Sequence, residues 1–244
     1  MIRIFKLWKK YGDAPPVLRD LSLHVDRGEF TFLTGPSGSG KTTLLRILLG
    51  EEKPSAGEVV VAGKNVGAMP EGQIPYLRRK IGFVFQDFKL LPHKTAYDNV
   101  ALVLRISRLS PGEQRVRAVR AIRRVGLDHR MHYYPDMLSG GEQQRIAIAR
   151  AVVSDPDLLL ADEPTGNLDP DLSIEIMNIF KEINARGTTV LVATHDPSLM
   201  AGSTRRVIVL RSSRSPQGHE VPGADAIVQE PAGQRAREPG GIES

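Results

Sequence analysis

The sequence predicts an α/β fold with a mostly parallel β-sheet core, an antiparallel β edge and an inserted α-helical subdomain. A phosphate-loop pattern lies between a strand-like run and a helix-like run, at residues 35–43. Short apolar strands alternate with helices, and residues from about 87 to 156 have a helical pattern. Some strands are wholly apolar, which is expected when helices cover both faces of a parallel sheet.

The length of 244 residues suits one large domain, and its 41% apolar and 25% charged residues are close to the average of soluble globular proteins. No apolar run approaches the roughly 18–20 residues that cross a bilayer. The first residues lack the apolar core of a signal peptide. The absence of cysteine excludes disulfides and thiolate metal sites. Because the sequence has neither a spanning run nor a signal-peptide core, we expect a cytoplasmic protein.

The first third of the chain is predicted to be mostly β-structure. Five alternating or apolar runs predict strands, at 2–8, 20–25, 29–34, 58–63 and 81–85. A turn that contains Gly, Asp and Pro joins the first two strands, at 12–16. The third strand leads into the phosphate loop, and the helix that leaves the loop is predicted over 43–50.

The helical subdomain is predicted over about 87–156. Within it, Ser110 and Glu113 fit a capping box with Pro111 at the first helical position, and a second helix runs over about 139–154. Strand and helix then alternate again, at 158–161, 173–185, 189–194 and 207–210. A domain over 1–210 is therefore expected.

The remaining residues, 211–244, are rich in Gly, Pro, Ser and Gln and nearly lack large apolar side chains. Such a segment cannot bury enough apolar surface to offset the entropy lost on ordering. We expect this tail to be disordered.

The phosphate-loop pattern is a glycine, four residues and then Gly-Lys-Thr. Glycines allow backbone N–H groups to turn inward around phosphates, and the following helix N-terminus adds partial positive charge. Lys41 is expected to reach the β- and γ-phosphates, and the Thr42 hydroxyl to ligate Mg²⁺. The residues predicted to bind the nucleotide here are Gly35, Pro36, Ser37, Gly38, Ser39, Gly40, Lys41, Thr42 and Thr43.

Two adjacent carboxylates, Asp162 and Glu163, follow the apolar strand at 158–161. Ligands bind at this carboxyl edge of an open parallel sheet. Asp162 fits the acid that supports the metal, and Glu163 can polarise the attacking water. A strand that ends in a solvated turn is the alternative.

A second turn opens a helix at Ser139, Gly140, Gly141 and Glu142. A serine and two glycines at a helix start form a second anion site, which two chains facing head-to-tail would each present to the other's γ-phosphate. The alternative is a simply capped helix, because Ser139 and Glu142 also fit a capping box. We call residues 139–142 the signature turn.

Together these motifs resemble the ATP-binding cassette (ABC) ATPases over about residues 1–210, and Leu138 with the signature turn is similar to that family's signature motif. The resemblance implies that Gln86 senses Mg²⁺ and that 167–169 crosses a dimer interface. It implies that His195 contacts the γ-phosphate and that Tyr11 stacks on adenine. Taken alone, His195 fits a buried histidine and Tyr11 a packing aromatic.

By this resemblance the fold is a P-loop NTPase of the ABC ATPase type, with ATP and Mg²⁺ as cofactors. A homodimer would close around two ATP molecules, each held between one phosphate loop and the other chain's signature turn. The implied catalytic residues are Glu163, His195 and Lys41. The residues implied at the metal are Thr42, Gln86 and Asp162.

Two stretches of sequence narrow the resemblance to one group within the ABC ATPases. Residues 161–169 are similar to a group that contains lipoprotein-release ATPases, MacB-type exporters and FtsE-type division ATPases, and residues 77–101 are similar to the FtsE type in particular. That likeness implies an FtsX-like integral membrane partner, an indirect link to division and cell-wall hydrolase factors, and a peripheral location on the cytoplasmic face of the bacterial inner membrane. The alternative is the ATPase of a lipoprotein-release or MacB-like transporter. The chain departs from the family after 207–210, where a further turn and short strand are usual.

The net charge of +5 is concentrated in one basic patch, which holds two acids, Glu113 and Asp128. The patch fits a solvated helix face or a surface near anionic lipid headgroups. Nucleic acid is not expected as a partner, because the patch has no interleaved aromatic residues and cassette proteins of that kind carry two cassettes, coiled-coil inserts or zinc modules. Its arginines are Arg105, Arg108, Arg115, Arg117, Arg120, Arg123, Arg124 and Arg130.

Overall fold

The computed structural model describes residues 1–107, 109–200, 203–211 and 227–229. In these ranges the strands are β1 (Ile2–Lys9), β2 (Leu18–Val25), β3 (Phe30–Thr34), β4 (Ala56–Val61), β5 (Lys64–Asn65), β6 (Ile81–Val84), β7 (Leu158–Asp162), β8 (Thr189–Ala193), β9 (Arg206–Val209) and β10 (Ile227–Gln229). The α-helices are α1 (Lys41–Leu48), α2 (Ile74–Arg78), α3 (Ala96–Ala101), α4 (Pro111–Arg124), α5 (Gly140–Val152) and α6 (Pro170–Ala185). The predicted α/β fold class is confirmed.

An antiparallel sheet forms the β edge, with strand order β2-β1-β4-β5. Its inner face is apolar because β2 alternates from Leu21 onward, so that Leu21, Leu23 and Val25 are buried while Ser22 and His24 are exposed. This sheet packs on α1 and on one face of the larger sheet, in a single apolar core.

The larger sheet has the order β10-β9-β3-β8-β7-β6, and its strands from β9 to β6 are parallel. Strand β8 is buried at every residue, and β3 and β7 at all but their last, as their mostly apolar sequences predict. Because β3, β7 and β8 are parallel neighbours, their carboxyl ends meet at one edge. That edge carries the phosphate loop, Asp162 with Glu163, and His195.

Helices α3, α4 and α5 lie within the stretch predicted as a helical subdomain, and they share an apolar core that includes Val100, Ile122 and Ile146. The capping box at the start of α4 is confirmed, because Ser110 accepts from the Glu113 N–H and Glu113 accepts from the Ser110 N–H. None of the described helices is long and apolar enough to cross a membrane.

The basic patch is partly neutralised within the chain. Arg117 and Arg124 approach Asp155 at 3.5 and 3.6 Å, and Arg123 approaches Asp128 at 3.9 Å. Arg115 and Arg120 lie exposed on α4. Position 108 lies outside the described residues. Both alternatives for the basic patch, a solvated helix face and a surface near anionic lipid headgroups, therefore stay open.

The predicted disorder of 211–244 is wrong at three residues. Residues 227–229 form β10, which pairs antiparallel with β9. The pairing has a physical reason, since Ile227 and Val228 favour strands and β9 offers an edge that would otherwise lack a partner. The rest of the predicted tail beyond Arg211 lies outside the described residues.

Candidate nucleotide site

The phosphate loop connects β3 to α1, and its backbone requires glycine. Gly35 and Gly40 have φ angles of 153° and 94°. A Cβ at Gly35 would lie 2.2 Å from the Leu210 carbonyl oxygen, and one at Gly40 would lie 2.7 Å from Leu18 Cδ2. No side chain caps the N-terminus of α1, so its first backbone N–H groups remain available to an anion.

Lys41 places its ammonium group inside this loop. The residue is buried, with 8% of its surface exposed, and Nζ donates to the carbonyl oxygens of Gly35 at 2.8 Å and Pro36 at 3.4 Å. Nζ also lies 3.7 Å from Oε1 of Glu163. The loop therefore carries a positive charge where a phosphate would be cradled, next to the acid that follows β7.

Glu163 and His195 form a second contact at this edge. Glu163 has a left-handed φ of 47°, and its N–H donates to the Ala193 carbonyl at 2.9 Å. Its Oε2 lies 2.9 Å from His195 Nδ1 and accepts from the His195 N–H at 3.3 Å. The His195 side chain is 66% exposed, so the alternative of a buried histidine is wrong. Lys41, Glu163 and His195 are therefore brought together.

Asp162 lies near Thr42, whose hydroxyl favours the charged form of its carboxylate. Burial raises the pKa of Asp162, and the neighbouring charge of Glu163 raises it further, against the effects of Thr42 and Lys41. Its buried Oδ1 has no hydrogen-bond partner among the described residues. A hydroxyl and an unsatisfied carboxylate oxygen are ligands that Mg²⁺ accepts together with phosphate oxygens and water. The two residues therefore fit the implied metal.

Gln86, the third residue implied at the metal, is exposed after β6. Its carbonyl accepts from Asn167 Nδ2 at 3.3 Å, and its Nε2 lies 3.4 Å from a Cβ built on Gly166. It therefore borders the loop that follows Glu163. Its contact with a metal stays a prediction.

We expect Asp162→Asn to raise the melting temperature of the nucleotide-free protein near neutral pH. Because the folded-state pKa of Asp162 is raised, the charged carboxylate costs stability above that pKa, and the cost disappears as the pH falls through it. The difference between variant and wild type should therefore shrink toward about pH 4, near the ordinary pKa of Asp. Melting curves across this range measure it, and a difference that does not change with pH would contradict the assignment.

Tyr11 lies beside the first turn of α1. Its hydroxyl donates to the Glu52 carboxylate and lies 3.5 Å from Thr43 Oγ1, and Lys9 Nζ lies 4.7 Å from the ring centroid. The ring is fixed at its hydroxyl end, yet the residue is 44% exposed. An exposed aromatic face next to the phosphate loop suits stacking on a base. Adenine stacking stays a prediction.

The signature turn is capped as its sequence predicts. Ser139 Oγ accepts from the Glu142 N–H at 3.3 Å, and Glu142 Oε2 accepts from the Ser139 N–H at 2.8 Å. Ser139 and Gly140 are exposed. In the part of the chain that the structure describes, no hydrogen bond or ion pair joins this turn to the phosphate loop. A role toward the nucleotide would therefore need a second copy, and it stays a prediction.

One polar contact near the site was missed from the sequence. Gln144 on α5 is fully buried, and its Nε2 donates to the Pro164 carbonyl at 2.5 Å, which links α5 to the turn after Glu163. The available signal was a glutamine at a position of α5 whose neighbours one turn away are apolar and buried.

Comparison with protein families matches residues 18–166 to the family described as "ABC transporter". Similar curated proteins include "Cell division ATP-binding protein FtsE" of Bacillus subtilis strain 168, 44% identical over 86% of this chain and 92% of that protein. The proteins of the same name from Mycobacterium tuberculosis H37Rv and Escherichia coli K12 are 48% and 46% identical, over 88% and 86% of this chain and 94% and 95% of theirs.

The solved structures that superpose on this chain include ABC cassettes as well. A dimeric bacterial ABC transporter cassette superposes with a TM-score of 0.80 at 37% identity, over 91% of this chain and 100% of that one. A dimeric ATP-binding cassette in a post-hydrolysis state bound to ADP and Pi superposes with a TM-score of 0.78 at 37% identity, over 88% and 97%.

Proposed function

The chain belongs to the family of ABC transporter ATPases, and on that premise we propose that it is the ATP-hydrolysing subunit of an FtsEX-type complex that acts in cell division. The observation that carries the proposal is 44% to 48% identity to FtsE proteins over most of both chains. The cluster of Lys41, Glu163 and His195 supplies the chemistry that such a subunit needs.

Each residue of the site has a separate role in ATP hydrolysis. Lys41 holds positive charge against the β- and γ-phosphates, and backbone N–H groups of the loop and of α1 bind their oxygens. Glu163 orients the attacking water and accepts its proton, while His195 fixes the Glu163 carboxylate through Nδ1. Thr42 and Asp162 would hold Mg²⁺, which supplies positive charge to the phosphate oxygens when bound. Positioning and charge account for most of the catalysis.

The complete site takes residues from two copies. Among the described residues no hydrogen bond or ion pair joins the signature turn to the phosphate loop of its own chain, and its exposed Ser139 and Gly140 suit contact with a second chain. The solved cassettes to which this chain is similar are dimeric. We propose a homodimer in which each signature turn completes the partner's site, so that ATP binding closes the dimer and hydrolysis reopens it.

The membrane partner in this proposal is an FtsX-like integral protein, and the chain would lie peripherally on the cytoplasmic face of the bacterial inner membrane. A groove of about 640 Å³ lies between α2, β6 and the residues after α3, close in sequence to Gln86. Its apolar lining includes Phe83, Val103 and the exposed Ile106. Such a groove suits a helix of the partner. Closure of the dimer would then act on cell-wall hydrolysis through that partner.

We expect Tyr11→Ala to weaken ATP binding by about 5- to 150-fold, since a base stacked on an aromatic ring gains about 1–3 kcal/mol. Tyr11→Phe keeps the ring and loses only the hydroxyl contacts with Glu52 and Thr43, so it is the matched control and should bind nearly as the wild type. Titration with a fluorescent ATP analogue measures both. Equal affinities for the alanine variant and the wild type would remove Tyr11 from the site.

The proposed function is tested by capture of Glu163→Gln from its own cell membranes in ATP and Mg²⁺, followed by mass spectrometry. An FtsX-like protein with division or cell-wall factors is the expected result. A lipoprotein-release or exporter permease would overturn the division role and leave the ATPase site intact.

A further inference from the structure

Residues 87–95, which we call the linker loop, join β6 and Gln86 to α3, and no helix or strand lies within them. Phe88 and Lys89 both have left-handed backbones, with φ angles of 57° and 49°. Two successive residues with side chains rarely adopt this conformation. Contacts from elsewhere in the chain must therefore hold the first part of the loop.

Arg150, in the last turn of α5, supplies those contacts. Its Nη1 donates to the Lys89 carbonyl at 2.6 Å and its Nη2 to the Phe88 carbonyl at 2.7 Å, across more than 60 residues of sequence. Burial lowers the pKa of the guanidinium. The planar guanidinium of arginine has two parallel N–H donors, and these match two consecutive carbonyl groups. A single ammonium group, as in lysine, does not match both.

The second part of the loop is held separately, by α3. Asn99 is fully buried, and its side chain accepts from the Leu91 N–H at 2.7 Å. It also donates to the carbonyl groups of Leu91, Lys94 and Thr95, at 3.2, 3.0 and 3.0 Å. Arg150 is thus the link between the loop and a different helix, α5.

Helix α5 is well suited to transmit movement to this loop. It begins at the signature turn, and near its other end its backbone lies directly on β6, where a Cβ at Gly82 would come within 2.3 Å of the Ala151 carbonyl oxygen. Close packing of this kind allows little independent movement of the last turn. If this contact acts as the pivot of a rigid helix, a tilt of α5 that displaces the signature turn would also rotate its last turn, and with it Arg150 and the loop.

We propose that Arg150 is a positioning residue that fixes the linker loop to α5, so that closure of the signature turn on ATP is passed to the loop beside the membrane partner. The inference rests on the proposed function, because the loop transmits the movement only if a membrane partner docks next to it. The clamp itself can be measured in the free chain.

The first experiment compares hydrogen exchange in the wild type, Arg150→Met, Arg150→Lys and the control Arg120→Met, which removes an exposed arginine from α4. Arg150→Met should exchange the amides of Phe88 and Lys89 at least 10-fold faster, while Leu91, whose N–H is held by Asn99, and β7 stay unchanged as the checks on the rest of the loop and on folding. Arg150→Lys, which retains one donor group, should lie between. Exchange equal to that of the wild type in a folded Arg150→Met would overturn the clamp.

The second experiment reconstitutes the same variants with the FtsX-like partner in vesicles and measures ATP turnover with and without it. Arg150→Met should lose at least 10-fold of the partner-dependent rate while the partner-free rate changes less than 2-fold. Equal loss of both rates, or lost stimulation with unchanged exchange, would overturn the positioning role. A wild type that the partner does not stimulate would contradict the proposed function instead, and the exchange measurement would still decide the clamp.

Discussion

Glu163→Gln is expected to lower the ATPase rate by about 10²- to 10⁴-fold, the usual contribution of a positioned general base. Glutamine retains the size of the side chain and can still contact His195, but it cannot accept a proton from water. It also lacks the charge that faces Lys41 at 3.7 Å, so ATP affinity should be retained or increased. The variant should therefore bind ATP and remain in the closed dimer.

Single-turnover phosphate release and size-exclusion chromatography with ATP and Mg²⁺ measure this expectation. Glu182→Gln is the matched control, because Glu182 is exposed on α6, and its turnover should equal that of the wild type. Turnover of Glu163→Gln at the control's rate would exclude Glu163 as the base.

Lys41→Met should weaken ATP binding by about 10- to 150-fold and remove measurable hydrolysis. A charged hydrogen bond contributes about 1.5–3 kcal/mol, and Lys41 is the cation that the fold buries inside the phosphate loop. Methionine retains the length of the stem but leaves the Gly35 carbonyl and Glu163 without a cation. The fold should survive, because the eight other buried residues of α1 and β3 keep their packing.

Lys181→Met, on the exposed face of α6, controls for loss of a lysine. Calorimetric titration of both variants with ATP and Mg²⁺ decides the result. An ATP affinity of Lys41→Met within 2-fold of the control would show that Lys41 does not bind the phosphates.

The sequence predicts those parts of the site in which a local pattern of residues permits only one backbone arrangement. The glycines of the phosphate loop predict its turn, since positive φ at Gly35 and Gly40 and the close approach of Leu210 admit no Cβ. The apolar strand before Asp162 predicts a buried β7 whose carboxyl end carries the acids. The meeting of Lys41, Glu163 and His195 then follows from parallel pairing of the three strands.

Other features depend on contacts that no short pattern records. Helices α2 and α3 have five and six residues, too few for a helical period to be recognised. Arg150 resembles every other arginine in the sequence, because its partners are backbone carbonyls brought near by the fold. Strand β10 was missed for the same reason, since its partner is β9 rather than its own neighbours.

The end of β9 has a consequence for how this ATPase can diversify. The Leu210 N–H donates to the Thr34 carbonyl at 2.7 Å, and the Leu210 carbonyl oxygen is the atom that faces Gly35. Both contacts are made by main-chain atoms, so they do not depend on which residues follow. Extensions of different length and composition can therefore be exchanged after this point without altering ATP chemistry. Chimeras that carry the C-terminal segment of a relative should hydrolyse ATP normally, even where they differ in cellular role.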